Sequence, residues 1–369
     1  MLNRASFFFR VRTAILIFLL SPAIGVRGQD VAAFHNYLNR FVVFDQGKFV
    51  ELEQLPVLDF KVRANMVVYL TNDNRLKVYQ NGKKEQLTEF FEYYKVGEDF
   101  VVWEFRRQVY MFSKGQTQLI CDWCNADGSD SLMRLIKNPG SKMEIYYSGK
   151  FYPLTEGVET TGILSYKFDK NIFSYVDAGQ NLRIFYRGEL FDPGVIQPGK
   201  YQVGADIVAW IDPFENSLKA FFKNEVVVLD NQVPKNFRTA DGMVAWVDNG
   251  GYYKIFYGGK VRELATFEPE KWTLKDEILA FELNRLFFVF YKGEVKMLEE
   301  IPPKAFSIER NTLFYIDAYG RLAGFSAGEH KKNLSLEPIF DLQSQRGVVL
   351  YKTGNNTQHV FWKGKSYVY

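Results

Sequence analysis

The sequence predicts an all-β chain folded as a single β-propeller of roughly eight to ten short four-stranded blades. Three observations carry this. A phrase recurs about every 35 residues, a glycine or asparagine turn follows most copies at a fixed place, and aromatic residues make up 17% of the chain. Aromatic side chains pack well on pleated surfaces, so their excess points to strands before any pattern is read.

The phrase runs aromatic, any residue, aliphatic, a few polar residues, then a hydrophobic run closed by an aromatic. It is read at residues 60–69, 94–103, 166–175, 201–210, 237–246, 272–281 and 306–315, and with two extra residues at 340–351. The closing aromatics Tyr175, Trp210, Trp246, Phe281, Tyr315 and Tyr351 are spaced 35, 36, 35, 34 and 36 residues apart. A gap of 72 between Trp103 and Tyr175 calls for a divergent copy, expected around residues 132–136. An N-terminal partial copy is read at residues 41–52.

Each phrase predicts the first two strands of a unit. A polar loop, an alternating strand, a tight turn and a short strand complete it. The turn residues are Gly47, Gly82, Gly115, Gly149, Gly188, Asn224, Gly259, Gly293, Gly328 and Gly364, residue types that accept the positive φ a two-residue hairpin demands. The period of 2 excludes helical repeats of similar length. Hairpin turns and this repeat length favour a propeller over a solenoid. The endings Trp210-Ile211-Asp212 and Trp246-Val247-Asp248 resemble those of TolB-like or YWTD-type propeller blades, a likeness that implies the fold and no particular activity.

Residues 1–28 read as a secretory signal peptide, leaving a propeller domain at 29–369. Arg4, Arg10 and Arg12 precede an apolar stretch over 14–26 that is broken by Pro22 and too short for a membrane span of about 20 residues. The expectation is an exported protein, periplasmic or extracellular, with no integral membrane segment after cleavage. Removing that segment takes four arginines and no acid, leaving 42 basic against 43 acidic residues. So even a balance predicts no nucleic-acid partner.

The two cysteines, Cys121 and Cys124, form a Cys-x-x-Cys pair without a helix behind it. A disulfide is therefore expected over a redox or metal role in an oxidising compartment. The following residues Asn125, Asp127 and Asp130 have oxygen donors that a Ca²⁺ loop could use, yet the acidic ligand set is incomplete. No cofactor is otherwise expected. Asp177, Asp212, Asp248 and Asp317 recur at one place in the repeat and are read as turn-closing residues. His35, His330 and His359 lack partners at metal-ligand spacing, and nucleophile-elbow and phosphate-loop motifs are absent. No catalytic residue is assigned.

These readings predict a non-enzymatic binding or scaffold protein that presents propeller-face loops to a protein or glycan partner, with Phe214 and Tyr319 on the binding rim. The alternative is a glycan- or peptide-cleaving hydrolase or lyase with carboxylates at the channel. Three or more acids at one channel mouth would favour the enzyme, and an aromatic rim the binding protein.

Overall fold

The computed structural model describes residues 30–63, 66–129, 131–137, 143–154, 163–335 and 337–369. The predicted signal peptide and Asp130 lie outside them. Within them the chain forms 39 strands in ten antiparallel sheets. No helix among the described residues is long and apolar enough to cross a membrane. Blade 1 spans 31–53, and blades 2 to 10 span 59–88, 93–122, 124–153, 163–191, 201–230, 236–265, 271–299, 305–331 and 339–368. The divergent copy is blade 4, whose second strand is Leu132–Lys137.

The hydrophobic runs do not alternate because their strands are buried on both sides. In blade 7, Val244 and Trp246 pack toward blade 6, while Met243, Ala245 and Val247 pack toward blade 8. The ten apolar clusters among the described residues each join a pair of neighbouring blades. No blade owns a core, so each depends on its neighbours for burial.

The closing aromatics fill these interfaces, and Trp210, Trp246, Tyr69, Tyr175 and Tyr315 are fully buried. Several also have a polar tip to satisfy. Tyr69 donates to Glu53 at 3.0 Å, Trp246 Nε1 to Asp230 at 2.9 Å and Tyr315 to Glu299 at 2.7 Å. In each case the acid stands at the end of the preceding blade and pins it to the next.

Nine blades have four strands, with the first innermost and the last outermost. Blade 1 has three among the described residues, in the order Val31–His35, Phe41–Asp45, Lys48–Glu53. Phe34 precedes Tyr69, and Gly47 precedes Gly82, by one period of 35. Val31–His35 therefore holds the second-strand position. On its inward edge, Gln345 of blade 10 donates from Nε2 to Ala33 O at 3.0 Å and accepts from Ala33 N–H at 2.8 Å. A side-chain amide thus makes the backbone pairs of a strand. Trp362 Nε1 to Asp30 at 3.0 Å and a shared apolar cluster complete the join.

Candidate functional site: the two faces of the ring

The strand order assigns every connection to one of two faces. First-to-second and third-to-fourth turns lie on one, here the turn face. Second-to-third loops and blade-to-blade linkers lie on the other, the loop face.

At the turn face, short turns gather around the axis and enclose a cavity of about 620 Å³. It is lined by carboxylates of Glu98, Asp169, Asp241, Asp276 and Glu309 and by cations of Arg63, Lys170, Lys275, Arg310 and Arg346. Several ion pairs cross between distant blades. Lys170 of blade 5 reaches Asp241 of blade 7 at 2.5 Å and Asp276 of blade 8 at 3.0 Å. Arg346 of blade 10 meets Glu98 of blade 3. Burial works against the Lys170 charge, but the hydrogen bond and charge of Asp241, aided by Asp276, hold the ammonium well above its usual range. Burial, then the neighbouring Arg63, pushes Arg346 down to about 10, and its Nε is buried without a hydrogen-bond partner. Among the described residues no group of three His, Cys, Asp or Glu side chains is placed to hold a metal ion.

The wall of the channel comes from the innermost strands. The phrase position read as any residue supplies long polar side chains that cross to the next blade's backbone. Lys167 donates to Tyr201 O at 2.6 Å, Gln202 to Phe237 O at 2.7 Å and Arg238 to Trp272 O at 3.0 Å. Sequence reading missed this role. The signal was the run Lys61, Lys95, Lys167, Gln202, Arg238 at a position scored as unconstrained.

At the loop face the recurring aspartates set the geometry. Asp212 accepts the N–H groups of Phe214 at 3.0 Å and Glu215 at 3.2 Å, and Asp317 those of Tyr319 at 2.9 Å and Arg321 at 2.8 Å. Asp248 takes Tyr252 N–H at 2.9 Å and Asp177 that of Asn181 at 2.9 Å. Each also meets a cation from its own third strand or loop, Lys219, Arg321, Lys254 and Arg183 respectively. Burial pushes the Asp212 and Asp248 carboxyls up. Hydrogen bonds, led by Lys219 and Lys254, outweigh it and hold both below the usual range. Held this way, the loops project their aromatics outward. Phe214 is 72% exposed and Tyr319 69%, where the rim was expected.

Cys121 and Cys124 are joined by a disulfide with Cα atoms 6.1 Å apart. Asn125 and Asp127 were read as part of a loop, and the structure corrects this. They lie on Cys124–Ser129, the innermost strand of blade 4, paired in register with Leu132–Lys137. Polar and small residues suit that position because it faces the channel. Asp127 accepts from Tyr166 at 2.8 Å and lies 3.6 Å from Lys95 Nζ.

Residues 26–367 match the model of the 10-bladed beta propeller domain. The chain belongs to that family. The match agrees with the ten sheets of this propeller. Among curated proteins none matches the sequence. Solved structures similar to this ten-bladed propeller include the computationally designed Ika8 protein, at 14% identity over 91% of this chain and 100% of that one, with a TM-score of 0.36. PorZ of the Porphyromonas gingivalis type-IX secretion system matches at 7% identity over 93% of this chain and 59% of that one, TM-score 0.29. Kluyveromyces lactis Hsv2p matches at 10% identity over 66% and 97%, TM-score 0.32.

Proposed function

We propose that this propeller is an exported, non-enzymatic binding or scaffold protein that docks a protein or glycan partner on its loop face. One observation carries the reading. Exposed large apolar side chains among the described residues are plentiful in second-to-third loops and linkers, including Tyr37, Leu55, Phe90, Phe214, Ile301 and Tyr319, and absent from the turns of the other face. Apolar groups concentrated on one face of a ring favour contact with a partner. Disulfides persist in oxidising compartments, so the Cys121–Cys124 bridge supports the exported location.

The test is thermal unfolding of the purified protein against glycans, peptides and Ca²⁺, since a ligand of the folded state raises the midpoint by mass action. A Phe214→Ala/Tyr319→Ala double variant should lose any shift while keeping its own midpoint. A shift that survives this variant would place docking elsewhere.

The five carboxylates at the turn-face mouth favour a second reading, a hydrolase or lyase acting on a glycan or peptide in that cavity. It expects hydrolysis that Asp241→Asn and Asp276→Asn abolish, and a binding protein shows none.

A further inference from the structure

The near-even total charge conceals a one-sided arc. Along the inner strands and their entries in blades 5, 6, 7 and 9 stand Lys167, Lys200, Lys235, Arg238 and Lys304, all exposed. None forms an ion pair with a carboxylate among the described residues. Blade 8 interrupts the arc, since Lys271 is 3.7 Å from Glu282 and the exposed Glu270 stands where its neighbours have Lys235 and Lys304. Across the ring the equivalent inner-strand lysines are paired with acids, Lys61 with Asp59 at 3.3 Å in blade 2 and Lys95 of blade 3 with Asp127 at 3.6 Å.

The cations are interleaved with rings. Lys167 Nζ lies 4.4 Å from the Tyr201 centroid, Lys200 Nζ 5.4 Å from Phe237 and Arg238 Cζ 4.7 Å from Trp272. Lys235 and Lys304 reach the loops that carry the exposed rings. Their Nζ atoms stand 3.7 and 3.8 Å from where a β-carbon would sit on Gly251 and Gly320, next to Tyr252 and Tyr319. Burial, then the charge of Lys200, pushes the Lys167 ammonium below its ordinary value, so a nearby anion would relieve a repulsion.

We infer that this arc binds an anionic glycan, with its lysines on the carboxylate or sulfate groups and Tyr252, Tyr319 and Phe214 stacked on sugar rings. The inference rests on the loop-face docking reading and names its ligand. A sugar polymer is favoured over an acidic peptide by the state of the inner edges. A peptide adding as a strand needs free carbonyls, and those of Tyr201, Phe237 and Trp272 already accept from Lys167, Gln202 and Arg238.

Titration calorimetry of the purified protein with polygalacturonate, dextran sulfate, neutral dextran and polyglutamate tests this. At least one of the two anionic glycans should bind, and affinity should fall about tenfold or more as salt rises from about 50 to about 300 mM. Lys200→Glu/Lys235→Glu/Lys304→Glu, checked for wild-type circular dichroism and midpoint, should weaken it by about tenfold or more. Phe214→Ala/Tyr319→Ala should weaken it without flattening the salt dependence. Equal binding of polyglutamate, undiminished binding by the lysine variant, or no binding of either anionic glycan overturns the assignment. If a partner protein is then captured through Phe214 and Tyr319, docking on the loop face stands and only the glycan falls. If neither variant changes any binding, both fall.

Discussion

The two faces of this ring are made by the same repeat and differ in how much freedom the backbone leaves them. Third-to-fourth turns have two residues throughout, with both at positive φ in pairs such as Asn81 and Gly82 or Lys292 and Gly293. Such a turn matches the twist of its strands and allows no insertion. The loop face has connections that range from the single residue Trp123 to the nine between Phe191 and Tyr201. The first-to-second turns of the turn face are also short, two residues at 170–171, 241–242, 276–277 and 346–347 and three at 97–99, and their charged residues meet across the axis. Variable length on the other lets aromatics project away from it. A propeller of this kind separates a locked face from an adaptable one, and the docking proposed above is assigned to the adaptable one.

The largest expected effect tests how locked the turn face is. A β-carbon on Gly204 would lie 2.5 Å from Ala240 O and 2.9 Å from Ala240 Cα. These are backbone atoms of the next blade's inner strand and cannot swing aside. Gly204→Ala should cost about 2–4 kcal/mol in denaturant unfolding, because two blades must part to admit one methyl. A loss below about 0.5 kcal/mol would mean that inner strands slide freely.

Next comes the ion pair across the axis. Lys170→Met leaves Asp276, whose side chain is only 12% exposed, and Asp241 facing each other without their shared cation. Solvent reaches Lys170, so the expected loss is about 1–2 kcal/mol rather than that of a sealed pair. Adding Asp276→Asn should return part of it. Simple additivity of the two changes would show that the pair contributes nothing.

That pair also marks where sequence reading stopped. Strand periodicity, turn chemistry and the closing aromatics were legible, because each repeats every 35 residues or so and one copy teaches the next. Lys170 and Asp276 are 106 residues apart, and Arg346 and Glu98 are 248 apart. Only closure of the ring brings them together, and no local pattern encodes closure. Blade 1, three-stranded among the described residues, was only partly legible for a similar reason. Its partial copy was visible at residues 41–52, but the role of Gln345 was not, since a lone glutamine carries no signal. Phe214 and Tyr319 were legible for the opposite reason. They break the repeat, and a bulky apolar residue outside the repeat in a polar loop has no core to enter.

A third prediction concerns pH. Burial pushes His35, His330 and His359 below their ordinary value, with Glu299 and Glu337 only partly opposing it for His330 and His359. The unfolded chain then binds more protons than the folded one as pH falls through about 6.5. Stability should rise with pH across that window and decline below it. Thermal midpoints at about pH 7.5 and about pH 5.5 check the sign, and His330→Gln/His359→Gln should flatten the slope. A midpoint higher on the acid side would overturn it.

The smallest effect on stability is the one that matters most for the comparison. Phe214→Ala and Tyr319→Ala remove side chains that touch little of the core, and the Asp212 and Asp317 bonds that shape their loops are made to backbone N–H groups. Those bonds survive the substitution. Each change should therefore alter stability by less than about 0.5 kcal/mol, yet abolish or sharply weaken partner binding. Conversely, Asp212→Ala should free the Phe214 loop and leave the Lys219 ammonium, whose side chain is 12% exposed, with Glu215 at 2.7 Å as its remaining carboxylate. It should cost more stability than Phe214→Ala and weaken binding as well. Should Phe214→Ala destabilise as much as Asp212→Ala, the ring is serving the fold and the division between a locked and an adaptable face fails at this blade.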